Sequence, residues 1–134
     1  MYCTEQDLID RLGDAELIQL SNRIGTGMIN SAVVEQAIND AGAEIDSYLT
    51  QQPTPMTVMT PRLVSITVDI SIYYLNRGRD IEDVLTRYNA AISFVKRVNQ
   101  GRASFGVDNV GAKAAVEQTI EVVDQKAKLF GRQR

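Results

Sequence analysis

The side chains best placed to do chemistry are the carboxylates Asp40, Glu44 and Asp46 and the single thiol, Cys3. Asp40 and Glu44 are four residues apart and share one side of a helix, with Asp46 close by. Such a group becomes a metal clamp or an acid–base couple only when a further ligand or base converges on it. The chain contains no His, the commonest general base and transition-metal ligand. These carboxylates therefore read as a solvated acidic face. Cys3 has no candidate base in the sequence and reads as a structural thiol.

A glycine-rich loop, Ile24-Gly25-Thr26-Gly27, offers two further chemistries. From Asn22 onward it echoes a calcium-binding loop, with Gly27 at the sixth position and Ile29 at the eighth. Ile24 and Val33 stand at the third and twelfth positions, where calcium needs oxygen donors. A glycine turn between helices, with Ile29 held in the core, is the better reading. No Lys-Ser/Thr follows the glycines and no strand precedes them, which excludes a phosphate-cradling loop. Catalytic, cofactor-binding and metal-binding residues are thus expected to be absent, and the protein is not expected to be an enzyme.

Charge is distributed unevenly. Residues 1–60 hold nine acids and two bases, a local charge of −7; residues 61–134 hold twelve bases and eight acids, +4. Opposed ends suit head-to-tail contact between copies, although a dipolar monomer with solvated faces fits the same pattern. Arg77, Arg79, Arg87, Lys96, Arg97 and Arg102 can line a basic surface, so a small helical DNA-binding regulator is the alternative function. An overall pI near 4.9 argues against polyanion binding, and no sequence-specific nucleic acid is expected. Tyr48, Tyr73, Tyr74 and Tyr88 fall at core spacings, which favours packing over a stacking platform.

With 134 residues and 44% apolar content, the chain is globular and long enough to bury one core. A lone cysteine excludes an intrachain disulfide and fits a reducing compartment. No basic and apolar leader is visible at the start, and no apolar run approaches the ~18 residues of a membrane span.

The elements that must position these residues are helices. Thr4 with Asp7 forms a capping box for a helix ending at Leu12, with Leu8, Ile9 and Leu12 facing inward. Gly13 stops it, and Asp14 is expected to cap a second helix to about Arg23, whose apolar surface is Leu17, Ile18 and Leu20. Asn30 or Ser31 caps a long helix to about Gln51, whose stripe is Val34, Ala37, Ile38, Ala41, Ile45, Tyr48 and Leu49. Pro53 and Pro55 interrupt the chain. Thr60-Pro61 then starts a helix to about Arg77 that is apolar on two faces and wet only along Arg62, Ser65, Asp69 and Asn76. Asp80 is expected to cap a last helix, Ile81 to Asn99, buried through Val84, Leu85, Tyr88, Ile92, Val95 and Val98. Gly101 closes it, and Ser104 to Val107 is expected to be extended. The expectation is an all-α compact domain of four to five helices over residues 1–110, with a C-terminal extension over 111–134. That tail is expected to be flexible or ordered by a partner, docking through Lys126, Lys128, Phe130, Arg132 and Arg134. A further packed helix through Val116, Ile120, Val123 and Phe130 is its rival.

The stretches 1–23, 25–49, 64–75 and 87–106 resemble the head–tail connector proteins of Mu-like phages and prophages, also called head-completion or neck proteins. The sequences MYCTEQDLIDRLGDAELIQLSNR and GTGMINSAVVEQAINDAGAEIDSYL are the specific ones. This chain has fewer aspartates in the 22–30 loop than the family pattern. The resemblance implies an all-α structural adaptor in the virion neck, present in host cytoplasm during assembly. Its copies would form a ring, meeting the portal protein on one side and a tail-side neck protein on the other, with no membrane partner.

The loop reading carries a test. Because Ile24 and Val33 occupy ligand positions, millimolar calcium and its removal by chelator should leave the melting temperature unchanged. A reversible rise of several degrees would restore the calcium loop.

Overall fold

The computed structural model describes residues 1–22 and 24–106. The chain divides into two units, Met1–Ala103 and Ser104–Arg134. Of the second, only residues 104–106 are described, and they form no regular element, so no strand appears where the extended piece was expected. The rest of that expectation, Val107, and the whole tail reading for 111–134 lie outside the described residues.

The fold is all-α. Among the described residues five helices follow in order: α1 (Glu5–Leu12), α2 (Asp14–Ser21), α3 (Ser31–Tyr48), α4 (Pro61–Leu75) and α5 (Glu82–Asn99). At the start of α1, the Thr4 hydroxyl accepts the Asp7 N–H while the Asp7 carboxylate accepts the Thr4 N–H, the reciprocal cap expected. Gly13 joins α1 to α2 at φ 87°, a conformation that a side chain would strain. Its N–H donates to Ile9 O, and its carbonyl accepts from Leu17 N–H. Gly13, not Asp14, is therefore the cap of α2; Asp14 sits in the first turn, where its charge complements the helix dipole.

α3 starts on Asn30 as expected but ends at Tyr48, short of Gln51. The reason is a tertiary contact: the Asn99 side chain of α5 accepts the Gln51 N–H at 2.9 Å and donates to the Thr50 hydroxyl. Thr60 caps α4, with Pro61 in the first turn. α4 ends at Leu75 because Asn76 turns inward and donates its side-chain amide to Ile72 O at 2.9 Å. Asn76 is thus buried, contrary to its expected place on the wet strip.

α5 begins at Glu82 after an extended Ile81, with no side-chain cap. Asp80 does not cap it, because the helix starts one residue later than expected and Ile81 takes the cap position. Leu85 is 43% exposed, not buried: the inward stripe runs through Val84, Tyr88, Ala91, Ile92 and Val95, leaving Leu85 on its flank. The helix closes at Gly101, φ 80°, whose N–H donates to Val98 O while Arg102 N–H reaches Arg97 O.

α4 is the middle of the unit. It packs on α3, α5 and α1, and α2 packs on α1 and α3. The N-terminal half of α3 lies beside the C-terminal end of α4, and Asn99 lies beside the end of α3, so α3 and α5 both run opposite to α4. One core cluster gathers Cys3, Leu8, Leu17, Leu20, Val34, Ala37, Ile38, Val68, Ile72 and Leu75. Two polar positions on α4, Thr67 and Ser71, are fully buried; Thr67 donates to Leu63 O within its own helix.

Ile70, fully buried on α4, should cost ~2–5 kcal/mol when changed to Ala. Leu85→Ala should stay within about 0.5 kcal/mol, since Leu85 is exposed. Equilibrium denaturation of both variants checks the helix phases.

Candidate functional site

The α3 carboxylates do not form a solvated face. Glu44 is half-buried and accepts two hydroxyl hydrogen bonds, from Tyr74 of α4 and Tyr88 of α5, each 2.6 Å. Asp46, a half-turn on, accepts the Tyr2 hydroxyl at 2.6 Å, and the Tyr2 oxygen in turn accepts the Met56 N–H. One helix therefore ties together α4, α5, the N-terminal segment and the 50–60 loop. Asp40 only accepts the Gln36 side-chain amide. The four tyrosines pack as expected. Tyr73 stacks on Tyr88 with centroids 3.8 Å apart and meets Tyr74 edge-on, while Tyr48 lies under the Lys96 ammonium.

These contacts stabilise protonated phenols. Burial, then donation to the Glu44 carboxylate, pushes Tyr74 and Tyr88 well above the ordinary phenol range. Burial chiefly, with donation to Asp46, pushes Tyr2 up to about 12. Burial likewise raises the Cys3 thiol to about 11, against a lowering contact from the Ser71 hydroxyl 4.0 Å away. A raised thiol is a poor nucleophile, so Cys3 acts here as a small core residue. Sequence reasoning missed the tyrosine–carboxylate ties because partners 30 and 44 residues apart carry no local signal.

The 22–30 loop satisfies itself. The Asn22 side chain donates to the Thr26 hydroxyl and to Met28 O, and it accepts the Ile24 N–H. Gly25 and Gly27 take positive φ, and Ile29 packs against the core. No group of three or more His, Cys, Asp or Glu among the described residues could hold a metal. No described helix is long and apolar enough to cross a membrane.

What remains outward is apolar at both ends and charged on the flanks. At the end formed by the start of α3 and the finish of α4, Ile24, Met28 and Val33 are exposed. Val33 also lines a shallow groove of about 350 Å³ with Ala37, Asp40, Tyr74, Leu75 and Arg77. At the opposite end, the uncharged 50–60 loop exposes Val58 and Met59. Arg77, Arg79, Arg87, Lys96, Arg97 and Arg102 are all exposed on α5 and the turns that flank it. Arg77 lies over Tyr74, Arg97 over Phe94, and Arg87 pairs with Asp83. The expected docking residues Lys126, Lys128, Phe130, Arg132 and Arg134 lie outside the described residues, as does Arg23.

Glu44→Ala leaves two partly buried hydroxyls without their charged acceptor and should cost ~2–3 kcal/mol, well above the ~0.5 kcal/mol of a solvated position. Tyr74→Phe in the Glu44→Ala background should cost less than in the wild type, as read from a double-mutant cycle. The pH sign follows from the raised phenols. Their contribution is complete below the unfolded value of about 10 and is lost as pH rises through the folded values. Stability should therefore hold to about pH 10 and fall toward pH 12. Tyrosinate absorbance should rise together with unfolding.

Residues 2–124 match the family described as Bacteriophage Mu, Gp36. The chain is 27% identical over 135 residues to gene product J of Escherichia phage Mu, covering 99% of this chain and 96% of that protein. It is 26% identical over 110 residues to the Mu-like prophage FluMu protein gp36 of Haemophilus influenzae, covering 81% of this chain and 78% of that one. A match over most of the length, with the same Mu-like origin in both relatives, identifies a Mu-like phage protein: the chain belongs to the Bacteriophage Mu, Gp36 family.

Proposed function

We propose that this protein is a non-catalytic structural adaptor of the phage neck, joining head to tail as a ring of copies seated on the capsid portal. The observation that carries this reading is the family membership over residues 2–124, beside relatives from phage Mu and a Mu-like prophage. The surface supports it. Two of the three carboxylates best suited to chemistry, Glu44 and Asp46, are spent on tyrosine hydroxyls that hold the helices together. Five of the eight exposed large apolar side chains stand at opposite ends of the bundle, Ile24, Met28 and Val33 at one and Val58 and Met59 at the other. Exposed apolar patches mark contact surfaces, and two separate ones suit a protein with a partner on each side. The tail would supply a further portal contact through its basic, Phe-containing end.

Purified portal rings incubated with the full chain should capture it in stoichiometric, ring-shaped complexes visible by negative-stain microscopy. A chain ending at Asp108 should melt close to the full chain yet lose portal capture. Failure of the full chain to bind portal rings, with retention on duplex DNA that declines with salt, would favour the DNA-binding alternative. Unfolding of the truncated chain would place the tail in the core.

A further inference from the structure

Of the nine acids in residues 1–60, four are exposed, Asp10, Asp14, Glu16 and Glu35, and three of these four lie around Gly13. Within the acidic half, Glu44 and Asp46 serve tyrosine hydroxyls, and Asp7 serves the first helix cap. Glu5 accepts the Ser31 hydroxyl, and Asp40 accepts the Gln36 amide. Asp14 and Glu16 make no hydrogen bond or ion pair among the described residues, and Asp10, exposed beside them, meets only a neutral Gln6 amide. Arg11, the one base of α1 and α2, is drawn away to Asp69 of α4, 2.5 Å distant. The corner around Gly13 is therefore an exposed acidic knob that no base pairs with among the described residues.

The second half of α5 is its opposite. From Arg87 to Arg102 the sequence carries four bases and no acid. Arg87 is held by Asp83, whereas among the described residues Lys96 and Arg97 meet the ring faces of Tyr48 and Phe94 and no carboxylate. Ring faces orient these cations without neutralising them. α1 and α2 pack on α3 and α4, and α5 packs on the same two helices, while the two groups make no comparable contact with each other. The acidic corner and the basic face thus lie on separate flanks and cannot neutralise one another within one copy.

We infer that the α1–α2 corner of one copy (Asp10, Asp14, Glu16) docks on the C-terminal half of α5 (Lys96, Arg97, Arg102) of a second copy. Two different patches make the contact, so it is heterologous, and it propagates until a rotation closes it into a ring. Opposed charge steers the encounter and fixes the register, and the contact weakens as salt screens it. The inference deepens the adaptor reading by naming the neighbour-to-neighbour surface, and rests on that reading only for the use made of the ring.

The test uses the full chain without portal, by sedimentation at high protein concentration. The wild type should associate near 0.1 M salt and dissociate as salt approaches about 1 M, where the screening length falls to about 3 Å. Asp14→Lys with Glu16→Lys should weaken association about tenfold or more, and so should Arg97→Glu with Arg102→Glu. An equimolar mixture of the two variants should associate again, because one carries two basic patches and the other two acidic ones. The neutral pairs D14N/E16Q and R97Q/R102Q, checked by thermal melting, replace any reversal that fails to fold; each should weaken association without rescue on mixing. A monomer at every concentration, association indifferent to salt, or reversal variants that do not rescue each other overturns the inference. Portal capture is scored separately. Capture without charge-swap rescue removes this contact and leaves the adaptor reading standing, while rescue without capture does the reverse.

Discussion

Everything in the first unit follows from having to cover α4. A helix with Leu63, Ile66, Val68, Ile70, Ile72 and Leu75 distributed around it presents apolar surface in more than one direction, and each exposed direction costs free energy in proportion to its area. Two neighbours cannot close such a helix, so α3 and α5 take two sides and α1 takes part of a third. The strip of Arg62, Ser65 and Asp69 stays partly open. Even there, Arg11 of α1 reaches across to Asp69 and Ser65, and Arg62 lies over Phe94 of α5. An ion pair this exposed contributes only about 0–1 kcal/mol, so it orients α1 more than it holds it.

Polar ties supply what apolar packing lacks, which is a fixed azimuth for each helix. Hydrophobic contact tolerates rotation and sliding, whereas a hydroxyl 2.6 Å from a carboxylate does not. Glu44 receives one donor from α4 and one from α5, so a single side chain sets the relative rotation of three helices. Asp46 does the same for Tyr2, and through Tyr2 for the loop at Met56. The cost of these partly buried groups is offset by their mutual satisfaction, and the result is a rigid body whose outward features keep constant positions. For the adaptor role proposed above, constancy of position would matter more than a reactive group.

The division of labour on the surface is consistent with that use. Several exposed apolar side chains stand at the two ends of the bundle and exposed charges on two flanks, so the proposed end and neighbour contacts would draw on different physics. Apolar end contacts strengthen with buried area, while charged flanks confer register and salt sensitivity.

How much of this was legible beforehand differs residue by residue. The all-α class, the capping box of Thr4 and Asp7, the Thr60-Pro61 start and the stripe from Val34 to Leu49 were determined by the sequence itself, because caps and helical periodicity act within a few residues. The fate of Glu44 was not. A carboxylate on a helix looks solvated until two tyrosines from distant segments arrive over it, and only tertiary packing decides that. The same holds for the inward turn of Asn76, the exposure of Leu85 and the early end of α3 under Asn99. Local spacing specifies which face a residue occupies, but burial and hydrogen-bond partners depend on what lands on that face, and those neighbours come from elsewhere in the chain.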